Sequence, residues 1–217
     1  MCAMLRVENL NVSIAAMRIL RDVSLEVPSG AMIGLIGRNG AGKTTLMKSV
    51  MGLLKASGRA EFDGMDLLKM PTHQRARAGI GYMPEDRRLI PELSVEENIL
   101  VPAWALDLRQ ARERLEKIYG YIPELREFAP RKGLQLSGGQ QKLAALGRAL
   151  MSGTRFLLLD EPFEGVAPAL AQRLAEVVAS LKKEGLSVLV SESDLQHSER
   201  MVDRVVTIDR GAIAQPS

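Results

Sequence analysis

Two short glycine-bearing stretches, about a hundred residues apart, carry the residue types that hold phosphate. The first, "GRNGAGKTT", fits G-x-x-x-x-G-K-[ST] in full. Its glycines, Gly37, Gly40 and Gly42, let the backbone curl so that N–H groups surround an anion. A helix starting there would add the positive end of its dipole. Lys43 would reach the β- and γ-phosphates, and the Thr44 hydroxyl would ligate Mg²⁺. The candidate nucleotide site is therefore the run Gly37, Arg38, Asn39, Gly40, Ala41, Gly42, Lys43, Thr44 and Thr45. A ligand-free glycine turn is the plain alternative. The position of the loop, between a buried apolar run and a helical pattern, favours nucleotide.

A pair of carboxylates follows the apolar run in "RFLLLDEP". At the C-terminal end of a parallel strand, Asp160 would hold the water shell of Mg²⁺. Glu161 points differently and could orient or deprotonate an attacking water. Alone, Asp-Glu after a strand is usually a solvated turn. A phosphate loop on the same chain reverses those odds and favours hydrolysis over binding alone.

The second glycine stretch opens "LSGGQQKLAALGRAL". Ser137, Gly138 and Gly139 at a helix start could form a second anion site. Equally, Ser137 could simply cap the helix while the glycines make the turn.

The elements that must position these groups alternate. "MLRVENLNVSI" and "RDVSLEVPSG" read as strands, the second closed by a turn at Pro28-Ser29-Gly30. "AMIGLIG" suits a strand buried on both faces, and "KTTLMKSVMGLL" has helical spacing. "GRAEFDGMDL" reads as a strand reaching an Asp63-Gly64 turn, and residues 107–128 are charged and helical, broken near Gly120 and Pro123. After Gly139 come a helix, the strand "RFLLLD", a helix from about Ala169 to Lys183, the strand "SVLVS", a short polar helix and the strand "RVVTI". Strands alternating with helices predict an α/β fold with a mainly parallel sheet, to which the N-terminal strands and the 107–128 helices are additions. Met47, Met51 and Met151 read as core filler, His73 as surface, and Trp104 is expected to pack at the helical insert, a permease contact being the less favoured alternative.

At 217 residues the chain can bury a substantial core. No apolar run approaches the length of a membrane span. The start "MCAMLRVENL" lacks the layout of a signal peptide, and the single Cys2 points to a reducing, cytoplasmic compartment. The net charge of +3 is spread without a basic block, which argues against nucleic acid as main partner.

"LSGGQ" about twenty residues before an Asp-Glu strand end, with a phosphate loop upstream, resembles the signature of ABC-type ATPases over nearly the whole chain. The resemblance implies a P-loop NTPase cassette over residues 1–217. A catalytic core with an antiparallel N-terminal β-subdomain would occupy about 1–90 and 152–217. A helical subdomain, about 91–151, would end in the signature helix. It further implies that two cassettes pack head to tail, so that Leu136, Ser137, Gly138, Gly139 and Gln140 of one grip the γ-phosphate on the loop of the other.

"YMPEDRRLIPELSVEENI" and "EGVAP" resemble the LivF type, the ATP-binding subunit of branched-chain amino acid importers. In that resemblance Glu85 replaces the usual Q-loop glutamine, and with Asp86, Arg87 and Arg88 it senses nucleotide and its metal and meets a permease. Three departures stand out. Ile14 occupies the place of the aromatic that stacks on adenine, Ser193 that of the switch histidine, and Asp86 that of a glycine. His197, four residues beyond Ser193, reads as an exposed helical residue. The resemblance implies ATP and Mg²⁺ as cofactors, and as partners a second ATPase subunit (different or identical), transmembrane permease subunits and, indirectly, a solute-binding protein. Its location would be cytoplasmic, peripheral on the inner membrane face. A soluble ABC-type ATPase and a regulatory nucleotide binder with little turnover are the alternatives.

Overall fold

The computed structural model describes residues 3–194 and 199–214. Cys2, His197 and the polar helix expected around His197 lie outside the described residues.

Two sheets organise the chain. One is antiparallel, in the order β2-β1-β4-β5, from β1 (Ala3–Ile14), β2 (Met17–Pro28), β4 (Ser57–Phe62) and β5 (Met65–Asp66). The other runs β10-β9-β3-β8-β7-β6, from β3 (Met32–Ile36), β6 (Ile80–Met83), β7 (Phe156–Asp160), β8 (Ser187–Glu192), β9 (Arg204–Asp209) and β10 (Ala212–Ile213). Its pairings are parallel except that of β10 with β9. This is the expected α/β architecture.

β7 and β8 are buried along their whole length, as strands covered on both faces must be. Their period-2 alternation divides the core in two. Leu157, Leu159, Val188 and Val190 face helices α3 (Val95–Leu106), α4 (Ala111–Tyr121), α5 (Glu124–Glu127), α6 (Gly138–Ser152) and α7 (Pro168–Lys183). Phe156, Leu158 and Leu189 face helix α1 (Lys43–Val50) and the antiparallel sheet. Because β3, β6, β7 and β8 are parallel, their C-terminal ends share one edge. Gly37, Glu85, Asp160 and Glu192 therefore emerge together, where open parallel sheets bind ligands.

Five elements add to the strands and helices read from sequence: β5, β6, β10, helix α2 (Thr72–Arg77) and α3. α3 falls within the helical segment expected over about 91–151 and precedes the charged stretch read from Asp107, which sits at its left-handed end with φ 51°. Met47, Met51 and Met151 are buried and His73 is exposed, as expected. Trp104 departs from expectation: it is 56% exposed. The face of α3 carrying Val95, Ile99 and Ala103 packs inward, and Trp104, one position on, is turned away by about 100°.

Candidate nucleotide site

The phosphate loop joins the end of β3 to α1. Gly40 and Gly42 take φ of 81° and 112°, in the left-handed region. Gly37 is needed for space: a Cβ there would lie 2.3 Å from the Ile208 carbonyl oxygen. Lys43 is buried and folded back over its own loop. Its ammonium donates to the carbonyls of Gly37 and Arg38 and pairs with Glu161 Oε1 at 2.8 Å. The lysine is thus held by groups that phosphate oxygens could replace.

Asp160 ends β7 fully buried. Its Oδ1 accepts from Thr44 Oγ1 at 3.1 Å and Ser191 Oγ at 2.8 Å, and its Oδ2 accepts from Tyr82 Oη at 3.1 Å. Burial raises the Asp160 pKa against these three donors, which favour the charged form. Burial and the adjacent Asp160 push the Tyr82 phenol far up, so it stays a donor. A hydroxyl beside a carboxylate is an oxygen set that suits Mg²⁺.

Glu161 adopts φ +47°, and its amide donates to the Ser191 carbonyl at 3.1 Å and to Ser191 Oγ at 3.2 Å. Lys142 of α6, also buried, donates to the Glu161 carbonyl at 2.6 Å. The turn is held from two sides while the carboxylate faces Lys43. Burial acts to raise the Glu161 pKa, yet the hydrogen bond from Glu164 and the contact with Lys43 hold it below its ordinary value. Sharing that hydrogen bond pushes Glu164 up to about 7. Glu192 is pushed up to about 8, by burial first and by the charge of Glu161 second.

Ile14, Ile19, Asn39, Gly40, Gly42, Lys43, Thr44, Thr45, Glu85 and Glu161 line one cavity of about 420 Å³. Ile14 is 46% exposed and gives the cavity an apolar wall beside Ile19. Glu85 lines this cavity together with Thr44. A carboxylate oxygen of Glu85 lies within 4.8 Å of one on Glu161 and one on Glu164. Asp86 adds less negative charge than its type suggests, because Arg88 pairs with it at 2.9 Å. A larger cavity of about 1100 Å³, between β1, β2 and β9, holds none of these residues.

Ser193 reaches the loop: its hydroxyl donates to Asn39 Oδ1 at 2.9 Å. The second glycine stretch does not line the cavity. Ser137 caps α6 in a reciprocal box with Gln140, at 3.3 and 3.1 Å, and Ser137 and Gly138 are exposed while Leu136 is buried. Tyr82, Ser191, Lys142, Glu164, Glu192 and Ile19 join the site without having been singled out from sequence. Ser191 carried a usable signal, as a polar residue near the C-terminal end of a buried apolar strand.

Residues 20–164 match the family model described as ABC transporter. The branched-chain amino acid transport ATP-binding protein BraG of Pseudomonas aeruginosa is 36% identical over 89% of this chain and 84% of its own length. The lipopolysaccharide export system ATP-binding protein LptB of Haemophilus influenzae is 34% identical over 97% of this chain and 89% of its own. Among solved structures, the ADP conformation of an ATP-binding cassette of an ABC transporter superposes with a TM-score of 0.85, at 31% identity over 99% of this chain and 90% of that one. Neither the loop nor the signature stretch carries this alone. With both present, on this fold and among these relatives, the chain belongs to the ABC transporter family, as one of its ATP-hydrolysing cassettes.

Proposed function

We propose that the chain powers an importer of branched-chain amino acids or a related small polar solute, working on the cytoplasmic face of the membrane with a permease and a second ATPase subunit. The observation that carries the cassette reading is the assembly of Lys43, Thr44 and Glu161 around one cavity, with Asp160 bonded to Thr44 behind its wall, while Ser137 stays exposed and outside it. A site lacking its second phosphate grip is what a head-to-tail dimer would complete. No helix among the described residues is long and apolar enough to cross a membrane, and the proposal assigns the translocation path to permease subunits.

In this reading ATP displaces Glu161 from Lys43, whose ammonium then pairs with the β- and γ-phosphates. The freed Glu161 carboxylate orients water and takes its proton as the γ-phosphoryl leaves. Thr44 and Asp160 would hold Mg²⁺, with Glu85 as a further candidate oxygen ligand, and the ion would supply positive charge against the phosphate oxygens. Ser193 orients Asn39 at the loop, a shorter-range role than a histidine would fill. Leu136 to Gln140 of the partner close the site, and their helix start adds donors to the γ-phosphate. A solute-binding protein would engage the permease rather than this chain, and nucleic acid has no role.

An export reading has its own support, in the similarity to LptB over nearly all of this chain. Reconstituting the chain with its permease in vesicles decides between them. Phosphate release stimulated by inward movement of labelled branched-chain amino acids is the expected result. Stimulation by lipopolysaccharide, with no amino acid moved, favours export. Turnover stimulated only by RNA or DNA refutes both.

A further inference from the structure

A cavity of about 340 Å³ lies between the turn after β7 and the end of β8. Glu161 is the one residue it shares with the nucleotide cavity, and Glu164, Glu192 and Asp194 add carboxylates to its lining. Glu164 and Asp194 are exposed, so the cavity is reached from solvent. Glu192 is only 8% exposed, and its Oε1 is the one buried side-chain oxygen or nitrogen without a hydrogen-bond partner among the described residues. Buried polar atoms are nearly always bonded, and a buried charge needs a counter-charge. The two buried lysines beside Glu161 are engaged elsewhere. Lys43 pairs with the Glu161 carboxylate and donates to the carbonyls of Gly37 and Arg38, while Lys142 donates to the Glu161 carbonyl. The carboxylates also crowd one another: an oxygen of Glu164 lies within 4.8 Å of one on Glu161.

We propose that this cavity is a second divalent-cation site, separate from the Thr44–Asp160 pair, where Glu164 and Glu192 hold a largely hydrated ion of the Mg²⁺ or Mn²⁺ class with no nucleotide present. Ions of that class keep several waters and take only one or two protein carboxylates. The cavity has room for such a shell, since the share of one water in the liquid is about 30 Å³. Oε1 of Glu192 would meet the ion or one of its waters, and Asp194 adds negative charge to the lining. A proton meets the same need when no ion is bound: burial, and then the charge of Glu161, push Glu192 up to about 8, with Asp194 acting the same way and the Phe163 amide and Lys142 opposing. Glu164 shares a hydrogen bond with Glu161, so an ion held by Glu164 bears on the carboxylate that faces Lys43.

Mn²⁺ uptake by the full chain without nucleotide, followed by electron paramagnetic resonance at a pH of about 8, where Glu192 is half ionised, tests this. The natural protein should bind Mn²⁺ with sub-millimolar affinity. Glu192→Gln and Glu164→Gln keep the side-chain size, and each should weaken that binding by roughly tenfold or more. Glu164→Asp, which keeps the charge, should recover part of it. Thr44→Ala, which removes the hydroxyl of the other oxygen pair, should leave it unchanged. No uptake at millimolar Mn²⁺ overturns the proposal and leaves Glu192 as a protonated carboxyl only. Uptake that Thr44→Ala abolishes and Glu192→Gln spares overturns it as well, because the ion then belongs to the nucleotide cavity. Binding of an ATP analogue, measured on the same samples, keeps the two readings apart: a chain that takes Mn²⁺ as expected but no analogue refutes the nucleotide reading and leaves this one standing.

Discussion

Replacing Glu161 by Gln removes the charged partner of a lysine that is 4% exposed while keeping its size and one acceptor oxygen. At 2.8 Å, with an effective dielectric near 20, the Coulomb attraction is about 6 kcal/mol. Desolvation cancels much of that, and removing one member of a buried pair costs about 3–5 kcal/mol. The carbonyls of Gly37 and Arg38 remain for Lys43, which places the change at about 3 kcal/mol, the low end of that range. Relief of repulsion offsets little below pH 7, because Glu192 and Glu164, at about 8 and about 7, are then mostly neutral. The nucleotide-free variant should therefore melt about 6–12 °C below the natural protein, at roughly 2–4 °C per kcal/mol for this size. Phosphate oxygens then supply the negative charge that the substituted amide lacks, so Mg²⁺ and a non-hydrolysable ATP analogue should raise the variant's Tm more than the natural protein's. Thermal melts with and without the analogue test both parts. An unchanged Tm in the nucleotide-free variant, or a smaller ligand shift, would refute the reasoning.

Glu192 gives a pH test. Its folded pKa of about 8 lies above the ordinary 4.5, so the folded chain holds a proton that the unfolded chain has released between those values. Its contribution is present below about pH 4.5 and lost as pH rises toward 8, at a limiting slope of about 1.4 kcal/mol per pH unit. Glu192→Gln keeps the neutral shape, so urea unfolding should find it gaining on the natural protein from pH 5.5 to 8; a pH-independent difference contradicts this. Gly37→Ala drives a Cβ to 2.3 Å from backbone at Ile208, and analogue affinity should fall more than about tenfold, with a lower Tm, since overpacking costs about 1–3 kcal/mol. Tyr82→Phe removes the described donor to Asp160 Oδ2 and should lower stability by about 1–3 kcal/mol, as denaturant midpoints would record.

Local signals carried much of this site. The spacing of Gly37 to Thr45 is a chemical requirement within one loop. Ser137 as a cap needs only Gln140, three residues on, and both are visible in sequence. What escaped depends on distant chain. Ser191 and Tyr82 meet Asp160 across strands 31 and 78 positions apart, and nothing near either residue encodes the register. Glu164 reads as a turn residue until the structure brings its carboxyl onto Glu161. β6 is four residues long with Gly81 inside, too short for its period to register. α3 did announce itself, through the Ser94–Glu97 capping box, but Pro102 within it masks the helical pattern. Trp104 misled for a simple reason: residue type proposes burial, and helical phase decides it.

The central claim is that a working site joins the loop of one chain to the signature stretch of another. Mixing two full-length variants tests it most directly, Lys43→Ala, which spoils the loop, and Ser137→Ala, which spoils the stretch, each inactive alone. Together they should recover phosphate release, because one site of each mixed pair has an intact loop facing an intact stretch. Full turnover by Ser137→Ala alone, or no recovery on mixing when mixed pairs are shown to form, would contradict it.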